Sequence, residues 1–174
     1  MRYFIGIDPG IHTGAVAVVS EHFRLCHVEE LPSTDGGQFS YSGTVNLVES
    51  LRKWHAAAIY VEHTFSAKGP RLKGHEFAMA SGAILQAMHF LANGHDIVRL
   101  VASHRWRRTV GLTKDTLASE EIGWKVAANA KCKELWPEYQ WLNKIGRRNR
   151  NKQGKADAAL IALAAAIDYR RENP

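Results

Sequence analysis

The stretch Tyr3-Phe4-Ile5-Gly6-Ile7-Asp8-Pro9-Gly10, followed by Gly14-Ala15-Val16-Ala17-Val18, constrains this chain more than any other. Branched and aromatic residues favour strands, and Pro-Gly with a further glycine close by is turn chemistry. The pattern predicts an antiparallel hairpin whose first strand is central and buried. Burying Ile5 and Ile7 leaves Asp8 at the strand end in a partly dry place, where a carboxylate is costly unless a cation or donor meets it. Closing the turn is the simpler role for this acid. Two further acids in comparable settings argue for more. Glu62 ends the apolar run Ala57-Ala58-Ile59-Tyr60-Val61, and Asp157 lies in Ala156-Asp157-Ala158-Ala159-Leu160-Ile161-Ala162.

Between these points the chain alternates. Phe23 to Leu31 reads as a third strand, ended by Pro32, and a helix is expected from about Ser42 or Thr44. Residues 63 to 75 read as a loop, with Gly69-Pro70 at its centre. The spacing of Phe77, Ala80, Ile84, Leu85, Met88 and Leu91 predicts a helix over 76–93, with Gly94 as its cap. A strand over 96–101 follows, and Ser103 is placed to cap a short turn. Ser119-Glu120-Glu121 has the character of a helix start, and a last helix is expected over 156–170. An antiparallel start followed by alternating elements predicts an α/β fold with a mixed sheet and helices on both faces. Residues 1–174 form one domain on this reading.

Charge narrows the partners. A net charge of +6 and a pI near 9.5 point to a polyanion, nucleic acid ahead of an acidic membrane surface. No apolar run approaches the ~20 residues of a membrane span, and Met1-Arg2-Tyr3 leads into a strand rather than a signal peptide. Cys26 and Cys132 lack metal-ligand spacing and read as small apolar fillers, which suits a cytoplasmic protein.

If the strands ending in Asp8 and Glu62 are neighbours, both acids emerge at one sheet end, where open α/β sheets place their sites. Asp157, near the start of the last helix, has the helix dipole as its simpler explanation. Three converging carboxylates repel one another unless a cation joins them, and hard oxygen ligands select magnesium or manganese over zinc. On a basic protein this set predicts phosphodiester hydrolysis assisted by two ions.

At these residues the chain resembles the RuvC-type Holliday junction resolvases of the ribonuclease-H-like superfamily. The resemblance runs through Phe4-Ile5-Gly6-Ile7-Asp8-Pro9-Gly10, Tyr60-Val61-Glu62-His63-Thr64-Phe65 and Ala156 to Ala162, and so spans the chain. It implies a ribonuclease-H-like sheet, three antiparallel strands and then parallel ones, and a homodimer that resolves four-way DNA junctions by paired cuts. It also implies that Asp8, Glu62 and Asp157 are catalytic ligands of two magnesium ions, with manganese as a substitute, and that Phe65 stacks near the crossover. Bacterial members carry a fourth ligand, an acid or histidine, one helical turn before the last Asp. Gln153 and Gly154 stand there in this chain. The Gln153 amide oxygen, a water or an acid from elsewhere would complete the set. Asp168 is ruled out, about 16 Å beyond Asp157 at helical rise.

The run from Lys144 to Lys155 holds six cations, among them Arg147, Arg148, Arg150, Lys152 and Lys155, and no acid. With Lys68, Arg71, Lys73, Arg105, Arg107, Arg108 and Lys114 it is expected to contact DNA phosphates. By the same resemblance Arg107 approximately matches a lysine used by the family, and Lys125 is a weaker match of that kind. Trp54, Trp106, Trp124, Trp136 and Trp141 read as core or interface, and the helix over 76–93 is the candidate dimer element. Two other readings share features with this one: a junction-binding protein without catalysis, and a fragment of an actin-like ATPase, which opens on a similar hairpin.

Overall fold

Alternation along the first strand decides the architecture. In β1 (Tyr3–Asp8), Phe4 packs on one side and Ile5 and Ile7 on the other, and all three are buried. Such a strand needs cover on both faces, as a central strand does. The structure, a computed structural model, describes residues 1–10, 14–33, 39–63, 71–113, 123–139, 141 and 153–174, apart from the side chains of 71–76 and 153.

β1 joins β2 (Ala15–Ser20), β3 (Leu25–Glu30), β4 (Ala56–His63) and β5 (Val98–Ala102) in a five-stranded sheet of order β3-β2-β1-β4-β5. The pairs β1–β2 and β2–β3 are antiparallel, and β1–β4 and β4–β5 are parallel. This is the mixed sheet that the order of segments predicts, with β1 at its centre. Helices α1 (Tyr41–Arg52) and α2 (Arg71–Leu91) cover the face of Ile5 and Ile7. Helices α3 (Ser103–Thr109), α4 (Trp124–Leu135) and α5 (Gln153–Glu172) belong to the face of Phe4. No described helix is long and apolar enough to cross a membrane.

Several boundaries differ from expectation. Helix α2 starts at Arg71, inside the segment read as a loop. Gly69-Pro70 explains the misreading: proline is favoured at helix starts as well as in turns, and the following Arg-Leu-Lys are good helix formers. The third strand begins two residues later than expected, because Phe23 takes a positive φ of 60° in the turn before it. Helix α4 has Gly123 as its N-cap and no acid in its first turn; Ser119-Glu120-Glu121 lie outside the described residues. Helix α5 starts three residues before Ala156, so Gln153 opens it.

One contact sets the height of α5 over the sheet. A Cβ on Gly6 would stand 2.1 Å from the backbone nitrogen of Ala162 and 2.3 Å from the carbonyl oxygen of Ala158. Only glycine on the strand permits this approach. The helix is correspondingly alanine-rich, and Ala156 and every residue from Ala158 to Ala166 are buried.

Candidate active site

Strand register does the first positioning. Ile7 pairs with Val61 in parallel register, so Asp8 and Glu62 follow side by side on strands about 4.8 Å apart. Alternation turns both toward the face of Phe4 and Tyr60, the face that α5 covers. Asp157 precedes Ala158, whose carbonyl lies against Gly6, and this brings the third acid in from above.

The three charges act on one another. Burial pushes the Asp8 carboxyl up to about 8, with further upward pushes from Asp157 and then Glu62. The Gly10 N–H, donating to Asp8 Oδ1 at 3.1 Å, and the Lys125 ammonium act the other way. Asp8 therefore closes its turn, as its simpler role requires, while lying beside two other acids. Asp157 is pushed up to about 6 by burial and then by Glu62, against Arg107 and Lys125. Three acids from three elements thus share one patch, with two cations facing it.

No sequence-defined family matches the chain, and no curated protein does. Solved structures do. Thermus thermophilus RuvC superposes with a TM-score of 0.66 at 22% identity, covering 98% of this chain and 97% of that one. T. thermophilus RuvC in complex with Holliday junction substrate gives 0.64 at 24%, covering 99% and 97%. The yeast mitochondrial Holliday junction resolvase gives 0.53 at 19%, covering 97% and 81%. The fold is that of RuvC.

On this RuvC fold Glu62 is held differently from the other two acids. It is buried, and its Oε1 accepts the Ser103 hydroxyl at 2.5 Å and the Trp106 indole N–H at 3.1 Å. Neither role was expected. Ser103 does not cap α3, whose N-cap is Ala102 without a side-chain bond, and Trp106 is both a core residue and a donor. The available signal was spacing: a hydroxyl and an indole three residues apart share a helix face. That helix directly follows the strand next to Glu62's own. The Arg107 guanidinium lies 5.1 Å from the Trp106 ring centroid and 5.0 Å from that of Trp124.

Several of the residues expected to contact DNA are also among the described ones. Lys155 pairs with Glu30 on β3 at 3.1 Å. Arg105 acts on Glu172, fifteen residues beyond Asp157 and so about 22 Å along α5. Arg108 is exposed on α3. Asp168 accepts from the Tyr60 hydroxyl at 3.2 Å. Phe65, Lys68, Lys114, Arg147, Arg148, Arg150 and Lys152 lie outside the described residues. So do the side chains of Arg71, Lys73 and Gln153, whose backbones open α2 and α5.

The donor chemistry of the site fits a hard divalent cation. Asp8, Glu62 and Asp157 offer only carboxylate oxygens, and the burial and mutual repulsion that push the Asp8 and Asp157 carboxyls up are what such an ion offsets. Among the described residues no three His, Cys, Asp or Glu side chains close into a ready-made cage.

Proposed function

We propose that the protein is a divalent-metal-dependent endonuclease that cuts four-way DNA junctions. The observation that carries this reading is the convergence of Asp8, Glu62 and Asp157 at one sheet end, faced by Arg107 and Lys125. The three acids would hold magnesium or manganese, two ions per site, with Gln153 in the fourth ligand's place. Bound there, the ions supply activation of water and charge neutralisation at the phosphate.

The chain's own groups do the rest. Arg107 and Lys125 bring positive charge to a site that must accept an anionic phosphodiester. The net charge of +6, concentrated in the run from Lys144 to Lys155, favours a polyanion by counterion release. Phe65, Lys68, Arg71, Lys73, Arg108 and Lys114 would add contacts to bases and phosphates around it. Two solved neighbours support a branched substrate: one is RuvC with a Holliday junction substrate, and another is a Holliday junction resolvase. One site cuts one strand, so paired cuts need a second copy related by a twofold axis.

The test is a synthetic four-way junction beside a linear duplex of the same sequence, each with magnesium or with EDTA. Paired incisions in the junction with magnesium alone, and an intact duplex, are expected. Junction binding without cutting in either magnesium or manganese would make the protein a binding module instead.

A further inference from the structure

Glu62 is a buried acid with two neutral donors on the same oxygen, and both come from one short segment at the β5–α3 junction. The Ser103 hydroxyl and the Trp106 indole N–H meet at Oε1, at 2.5 and 3.1 Å, so Oε2 lies outside this clamp. Trp106 is 1% exposed, which makes its ring one of the most constrained in the molecule. A ring locked by packing is a rigid reference, and a carboxylate bonded to it loses rotamer freedom about its last torsions.

The same indole has a second use. Its face carries the Arg107 guanidinium at 5.1 Å, and Trp124, at the start of α4, stands 5.0 Å from that guanidinium. A cation near two indoles is attracted by both ring quadrupoles. Arg107 in turn acts on Asp157, lowering its proton affinity. One indole therefore touches an acid of the site through its edge and a cation of the site through its face.

Resting on the reading of the three acids as the metal site, we propose that Trp106, assisted by Ser103, is a positioning residue that fixes Glu62 toward the metal and Arg107 toward the phosphate. It touches neither metal nor substrate. Its contribution is that the acid and the cation move as one unit, set by a single buried ring. Partners that orient a metal-binding carboxylate typically change metal affinity or activity by roughly 10–100-fold when removed.

Two variants separate this role from packing. Trp106→Phe keeps an aromatic ring and loses the N–H. Ser103→Ala removes one hydroxyl at a partly exposed position and keeps the fold testable if the first variant is unstable. Manganese affinity of the DNA-free protein, measured by titration calorimetry, is expected to weaken about tenfold or more in each. In Ser103→Ala, which leaves the ring under Arg107 in place, junction affinity without metal should stay unchanged, and kcat should fall at saturating junction in both variants. A spectroscopic signature accompanies this. The five tryptophans give indole N–H resonances, and Trp106→Phe assigns the one that disappears. That resonance should shift when magnesium is added to the wild-type protein and stay still in Glu62→Gln. Unchanged manganese affinity in folded Ser103→Ala and Trp106→Phe, with only a lower melting temperature, would overturn the positioning role. Wild-type metal affinity and cleavage in Glu62→Gln would overturn the underlying site assignment, and this proposal with it.

Discussion

At the scale of single residues, the proposed site is built against the stability of the empty protein. The Asp8 carboxyl is pushed from an ordinary value of 3.8 up to about 8, chiefly by burial and then by its two acidic neighbours. Between those values the folded chain holds a proton that the unfolded chain releases. Stability from this group therefore falls as pH rises from about 4 to about 8. Asp157 adds the same sign up to about 6. Asp8→Asn removes the desolvated charge and keeps the shape. In EDTA at pH 8 it is expected to melt about 2–8 °C above the wild type, from ~1–2 kcal/mol of relieved strain in a chain of this size. That gap should shrink toward pH 4. The same variant should cut no junctions while still binding them, since phosphate contacts supply most affinity. Melting curves across pH check the first part, and an Asp8→Asn protein less stable than wild type at pH 8 would contradict it. A substitution that stabilises the fold and abolishes activity marks a group kept for chemistry.

At the scale of elements, the sheet was legible and the junctions between elements were not. Phe4, Ile5 and Ile7 required a central strand, and the acids at the ends of β1 and β4 were placed by their apolar runs. The spacing of Ile84 and Met88 likewise revealed α2, although not its first five residues, because Gly69-Pro70 serves turns and helix starts alike. The clamp on Glu62 was hidden for another reason. In sequence Ser103 and Trp106 read as ordinary local features, a cap and a core ring, and only the fold brings their polar atoms to Glu62. Gly6 lies within the strand, where the sequence gives it no turn to serve, and its use is the close approach of α5. Gly6→Ala must move Ala158 and Ala162, and so the helix that carries Asp157. A loss of about 1–3 kcal/mol in stability is expected from the overpacking. Because a shift near 1 Å can cost on the order of 10²-fold, cleavage should fall further than stability explains. Gly82→Ala in α2, where an added Cβ meets nothing within 4 Å, is the control and should leave both unchanged or slightly improved. Equal losses in the two variants, by denaturant titration and cleavage rate, would remove the special role of Gly6.

At the scale of the whole molecule, the two sheet faces have unequal surroundings. Helix α5, on one face, is buried along most of its length, while α1 and α2 on the other leave Tyr41, Val45, Met79 and Phe90 exposed. Tyr41, Val45 and Phe90 line a groove of about 390 Å³ between these two helices. The paired incision proposed above needs a second copy, and α2, already the candidate dimer element from its sequence, offers this apolar surface to one. An isologous contact doubles every side chain's contribution. Burying Phe90 is worth about 1.5–3 kcal/mol per copy, so Phe90→Asp should weaken dimerisation by roughly 10²–10⁴-fold from both copies together. The fold should survive, because Phe90 is 64% exposed and its ring meets the exposed Arg52 guanidinium at 5.3 Å. Sedimentation should then show a monomer at concentrations where the wild type is a dimer. Cleavage chemistry stays intact on this account, but the coupling of the two cuts does not. On a supercoiled plasmid carrying an extruded cruciform, the wild type should give linear product, from two cuts within one binding event. Phe90→Asp should give nicked circles first and linear product only later. A Phe90→Asp protein that remains dimeric and linearises the plasmid as the wild type does would place the dimer contact on another face.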